Sequence, residues 1–106
     1  MSGRIELIRE AAQQAVLFTP HAITQMTALD RLIEPDEVLN VIRHGVIIED
    51  YLHDRRGHSS LLLGTGEGER PIHVVCAPKK DHLTIITAYI PDADFWDEEF
   101  RKRKEL

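Results

Sequence analysis

The chain changes period at Val46, and that change limits its fold more than any other feature. Before it, apolar residues recur every three or four positions; after it come the runs "VIIEDYL", "HSSLLLG", "PIHVVCA" and "LTIITAYI", rich in β-branched side chains. Only "HDRRG", "TGEGER" and "PKKD" separate them. Connections this short close antiparallel hairpins and leave no room for the crossover that a parallel pair requires. The pattern predicts a four-stranded antiparallel meander, with the glycines of "GTGEGE" serving a turn rather than a phosphate cradle.

The earlier segments read as helices. Residues 4 to 16 place Ile5, Ile8, Ala12 and Ala15 at helical spacing among charged and amide side chains. Thr19 then Pro20 predict a second start, a hydroxyl for an orphan amide followed by a residue with no amide to orphan. Ala22, Met26, Leu29 and Ile33 would form its apolar stripe. "EPDEVLNVIRHG" predicts a third helix, with Pro35, Asp36 and Glu37 at its start and Arg43 and His44 before Gly45. Beyond Pro91, "DADFWDEEFRKRKEL" predicts a C-terminal helix over 92–106, capped by Asp92 and anchored by Trp96 and Phe100.

The expected class is therefore α+β: N-terminal helices packed on a four-stranded antiparallel meander, closed by a C-terminal helix. A length of 106 residues predicts a single domain over 1–106, with its core at 18–97 and an N-terminal helix within 1–17. Hydrophobic residues at 42% suit a packed core, and no run approaches the roughly 20 apolar residues of a membrane helix. A cytoplasmic location without membrane association is expected. Thirteen Lys plus Arg against eighteen Asp plus Glu leave a net charge of −5, so any affinity for nucleic acid must come from a local cationic site. The lone Cys76 between Val75 and Ala77 reads as a small buried filler. Dinucleotide, P-loop and zinc signatures are missing, so neither a cofactor nor a metal is expected.

The segments "HAITQMTALDRLIEPDEVLNVIRHGVIIEDY", "SLLLG", "RPIHVV" and "ITAYIPD", with Trp96 beyond them, resemble the family known as domain of unknown function 4258. That family often has a basic residue before Met where this chain has Gln25 before Met26. Its members look like distant relatives of the RelE and BrnT type toxins, small messenger-RNA endonucleases with helices on a curved antiparallel sheet. The resemblance implies a metal-independent endoribonuclease of a toxin–antitoxin system, with RNA as substrate and an antitoxin as partner. The alternative is a non-enzymatic protein-binding or homodimerising module on the same scaffold.

Cleavage of this kind needs a base for the 2′-hydroxyl, an acid for the departing 5′-oxygen and a cation for the developing phosphorane charge. The candidates are His21 at a helix start, His73 on a strand, Arg31 or Arg70 as cation, and Tyr89 as donor or stacking surface. Thr87, Asp50 and Tyr51 are candidate substrate contacts, with Arg55, Arg56 and His58 around the same hairpin. Structural readings stand beside these. His21 could cap or pack, Arg31 could pair with Asp30 or Glu34, and Tyr89 could be a core aromatic. The hairpin register is open: pairing His73 with Thr87 puts His73, Thr87 and Tyr89 on one face, and a slip of one residue sets His73 beside Ile86.

Overall fold

A computed structural model describes residues 3–105. Helix α1 spans Arg4–Gln14, strand β1 Val16–Phe18, helix α2 Pro20–Met26 and helix α3 Pro35–His44. Strands β2 (Val46–Tyr51), β3 (Ser59–Thr65), β4 (Pro71–Pro78) and β5 (Leu83–Tyr89) follow. The sheet has five strands in the order β1-β5-β4-β3-β2. Strands β2 to β5 form the antiparallel meander that the short connections require. β1 is the departure: it runs parallel to β5, with Val16 opposite Leu83 and Phe18 opposite Ile85, so the sheet is mixed. The parallel pair escaped the loop-length argument because nearly the whole domain, not a hairpin, is its crossover.

Helix α1 is fastened rather than loose. Ile8 and Ala11 are buried against the sheet, and Arg9 donates from Nε to the Ile42 carbonyl at 2.9 Å and from Nη2 to that of Gly45 at 3.2 Å. Thr19 caps α2 by accepting the Ala22 amide at 3.0 Å while its hydroxyl donates to the Ile86 carbonyl at 2.8 Å, so one residue both starts the helix and ties it to β5. Helix α2 ends at Met26, earlier than its apolar spacing suggested. The Ile33 amide donates to the Met26 carbonyl at 2.8 Å, which turns the chain back. Ile33 is buried from this loop, and Leu29 is fully exposed.

Glu37 of α3 accepts the Glu34 amide at 2.9 Å and so completes the helix start. The same carboxylate accepts the Glu67 amide at 2.7 Å and pairs with Arg70 Nη2 at 2.7 Å, joining α3 to the β3–β4 connection. Burial pulls the Glu37 carboxyl up, but Arg70 and the two amides outweigh it and hold it below the usual carboxylate range.

Alternation along the strands makes two cores. Leu62, Ile72, Val74, Cys76 and Ile85 face the helices; Leu61, Val75, Ala77 and Ile86 face the other way and are covered by Trp96. Burial pushes the Cys76 thiol up to about 12, consistent with an inert filler. The expected C-terminal helix does not form. After Asp92 the chain makes a turn, crosses the outer sheet face and returns through a bridge between Trp96 and Arg103. Trp96 and Phe100 anchor it, but a helix over the same residues would not give the crossing its Phe100 turn, where φ is +60°. Among the described residues no helix is long and apolar enough to cross a membrane.

Candidate functional site

The register of the last hairpin decides what its polar residues do. His73 lies opposite Tyr89 and Val75 opposite Thr87, with an irregularity at Val75/Cys76. His73 and Tyr89 therefore share the outer face, as the expected parity required, but through a direct pairing rather than the pairing of His73 with Thr87. Thr87, half-buried, sits next to the bulge on the same strand.

His73 is 0% exposed. Its Nε2 lies 2.8 Å from the Phe100 carbonyl, an acceptor only, so Nε2 carries the proton and Nδ1 accepts the Tyr89 hydroxyl at 3.2 Å. The imidazole stands edge-on to Trp96 at a ring separation of 4.4 Å and to Tyr89 at 5.3 Å. Burial lowers its proton affinity more than the Phe100 carbonyl and the Glu49 charge restore it. The neutral ring thus pins the C-terminal strap, the non-helical stretch 92–103 that crosses the outer sheet face, and fixes the direction of the Tyr89 hydroxyl.

One side of this cluster is a charged network. Tyr51 donates its hydroxyl to the Glu49 carboxylate, and Arg103 grips both Glu49 oxygens at 3.0 and 3.1 Å while lying 4.8 Å over the Trp96 ring. Burial pulls the Glu49 carboxyl up, yet the bonds from Arg103 and Tyr51 hold it below the usual range. Burial and then the bond to Glu49 push the Tyr51 hydroxyl up to about 12.

The other side is open. Gln25, Arg31, Tyr89, Asp92, Phe95 and Trp96 line a groove of about 290 Å³ between the end of α2 and the strap. Arg31 enters no ion pair among the described residues, with Asp30 and Glu34 included, and its Nη1 lies 3.5 Å from the Ile90 carbonyl. A guanidinium, two aromatic faces and an amide in one cleft can hold a phosphate beside a planar ring, with the Asp92 carboxylate on the opposite wall keeping the anion to the Arg31 side.

Of the residues singled out in the sequence, Arg31 and Tyr89 meet in this groove, and His73 lies directly behind Tyr89. His21 is exposed on α2, one helical turn before Gln25 and on the same side of the helix, and does not itself line the groove. His21 and His73 do not meet, because His73 is sealed beneath Trp96 and Phe100. Tyr51 shares the outer face at the Glu49 end, while its neighbour Asp50 points to the helix face, where it takes His58 Nε2 at 2.8 Å and the Ser60 hydroxyl at 2.6 Å. Arg70 is engaged with Glu37. Glu49, Trp96 and Arg103 were not singled out as site residues. The alternation of Glu49 with Tyr51 was a usable sign for the first, whereas Arg103 inside "RKRK" carried none.

A family described as "Domain of unknown function (DUF4258)" matches residues 18–90, well over half of the chain. The chain belongs to the DUF4258 family. No curated protein and no solved structure matches it. The DUF4258 span contains His21, Arg31, Glu49, Tyr51, His73 and Tyr89 but stops short of Asp92, Phe95, Trp96 and Arg103. One wall of the groove thus comes from the DUF4258 segment and the other from the strap that follows it.

Proposed function

We propose that this DUF4258 protein acts on RNA as a metal-independent endoribonuclease of the RelE and BrnT kind, working in the cytoplasm with an antitoxin as its partner. The observation that supports this reading is the joint presence of Arg31 and Tyr89 in one groove, with His21 one helical turn before the groove residue Gln25. Arg31 would hold the scissile phosphate, and Tyr89 and Phe95 would offer faces to a base. The His21 imidazole would take the proton of the 2′-hydroxyl as its oxygen attacks phosphorus. The bond from phosphorus to the 5′-oxygen breaks, and a water of the open groove gives the proton to that leaving oxygen, because the one proton of the Tyr89 hydroxyl is donated to His73 Nδ1. His73 acts only through Tyr89: it touches no open volume and holds the phenol in direction.

Purified protein incubated with a single-stranded RNA in the presence of a chelator should produce fragments ending in a 2′,3′-cyclic phosphate. His21→Ala and Arg31→Ala should each abolish them while leaving thermal unfolding unchanged. Intact RNA after prolonged incubation with wild-type protein removes the nuclease reading.

A second reading, a non-enzymatic protein-binding or homodimerising module, is favoured by Leu29, Leu32 and Phe95, three exposed apolar side chains around the same end of α2. It predicts that overexpression leaves growth unimpaired. The nuclease reading predicts growth arrest that Arg31→Ala relieves.

A further inference from the structure

Strand β1 carries a feature that the Arg31 groove does not use, an unpaired edge of the sheet. β1 is the terminal strand of the sheet, so one of its long sides is free. On its inner side the Ala15 carbonyl accepts the Leu83 amide at 2.9 Å and the Thr19 amide donates to the Ile85 carbonyl at 3.0 Å. Strand alternation then directs the N–H and C=O groups of Val16 and Phe18 outward. Neither amide nor carbonyl has a partner among the described residues. An extended polypeptide is the chemical species that matches such a row of alternating donors and acceptors.

Side chains beside that edge specify the rest. Helices α1 and α3 diverge over Val16 and leave a cleft of about 380 Å³ with an apolar floor of Ala12, Val16, Leu39 and Ile42. Its rim is cationic: Arg9 and Arg43 line it, and among the described residues no carboxylate does. Arg9 is held in place by its bonds to the Ile42 and Gly45 carbonyls, which leave Nη1 unspent. The Arg43 side chain enters no hydrogen bond or ion pair among the described residues. On the opposite face of the strand Leu17 is 54% exposed. In a chain of net charge −5 this is a local concentration of unspent positive charge next to an open strand edge.

We propose that β1 and the α1–α3 cleft dock an extended acidic segment of a partner protein. The segment adds a sixth strand to the sheet by bonding the outward groups of Val16 and Phe18. Alternate side chains of such a strand fall on the Val16 face, so apolar ones enter the cleft and carboxylates two positions away, on that same face, reach Arg9 and Arg43. A second copy of this chain is the poorer occupant, because pairing β1 with β1 would bring two cationic clefts together on one face. Half of the cleft is contributed by α1, which precedes the matched family segment.

The test uses the full chain and two capped heptapeptides, acetyl-ETVTVTE-amide and acetyl-KTVTVTK-amide, which carry their apolar and charged side chains on one strand face, followed by amide chemical shifts and hydrogen exchange. The acidic peptide should bind about tenfold or more tightly than the basic one. It should slow exchange of the Val16 and Phe18 amides and shift Ala12 and Leu39. Arg43→Glu, a change on an exposed side chain, should reverse the preference. Equal binding of the two peptides, no binding of either, protection mapped to β2 instead, or a wild-type dimer that masks β1 would each overturn the proposal. RNA cleavage plays no part in these readouts, so their outcome is separate from that of the nuclease reading.

Discussion

Tyr89 stands directly across the β4–β5 ladder from His73 and donates its hydroxyl to the imidazole Nδ1 at 3.2 Å, while Nε2 of the same ring donates to the Phe100 carbonyl at 2.8 Å. A single buried ring thus links a groove residue to the strap that covers the outer sheet face.

Replacing that ring should weaken the fold before it alters any chemistry. His73→Ala leaves the Tyr89 hydroxyl and the Phe100 carbonyl without their partner and opens a cavity beneath Trp96. A loss of about 2–4 kcal/mol is expected from these two effects together. Urea unfolding monitored by Trp96 fluorescence measures it, and a midpoint equal to that of the wild type would contradict the structural role.

Acid should act on the same residue. Burial lowers the proton affinity of His73 in the folded state below its ordinary value of 6.5. The unfolded chain then binds the proton first, so this contribution is intact well above pH 6.5 and is lost as pH falls through that value toward the lower folded one. The slope is at most about 1.4 kcal/mol per pH unit. Glu37 and Glu49, whose folded carboxyls lie below the usual range, lose their contributions only further into acid. Unfolding free energies at closely spaced pH values should show the slope in wild type and a flatter profile in His73→Gln.

Alkali should reveal the Glu49 network. The Tyr51 hydroxyl is pushed up to about 12 against an ordinary 10, so the unfolded chain releases its proton first and stability falls as pH rises above 10. Ultraviolet titration of the folded protein should show little phenolate near pH 10, since Tyr89 is raised as well. Glu49→Gln, which removes the charge facing Tyr51, should advance the Tyr51 transition toward neutrality. An unchanged titration curve would place the cause elsewhere.

The two candidate cations should separate cleanly. Arg70→Ala deprives the mostly buried Glu37 carboxylate of its partner and should cost about 3 kcal/mol, without a specific effect on RNA. Arg31→Ala, on an exposed side chain, should leave stability within about 0.5 kcal/mol. Under the proposed function it should also reduce the dependence of RNA affinity on salt by about one unit of slope. Paired measurements of unfolding and filter binding test both, and a stability loss in Arg31→Ala with none in Arg70→Ala would reverse the assignment.

Local rules carried far in this chain. The Thr19–Pro20 and Pro35–Asp36–Glu37 starts are visible because capping is decided by residues within one turn, and the meander is visible because its loops are too short for other connections. Arg31 and Tyr89 were legible as candidates by residue type. Their meeting was not, since it depends on the chain turning at Met26 and on Trp96 closing the opposite wall. The strap defeated helical spacing because the burial of Trp96 over His73 and the grip of Arg103 on Glu49 join residues far apart in sequence. Hydrophobic period and capping chemistry determined by themselves that helices would lead into a meander. Tertiary packing alone decided the parallel edge strand, the register that sets His73 against Tyr89, and the sealing of that histidine. Those outcomes rest on contacts between distant segments, whose energies no local pattern records.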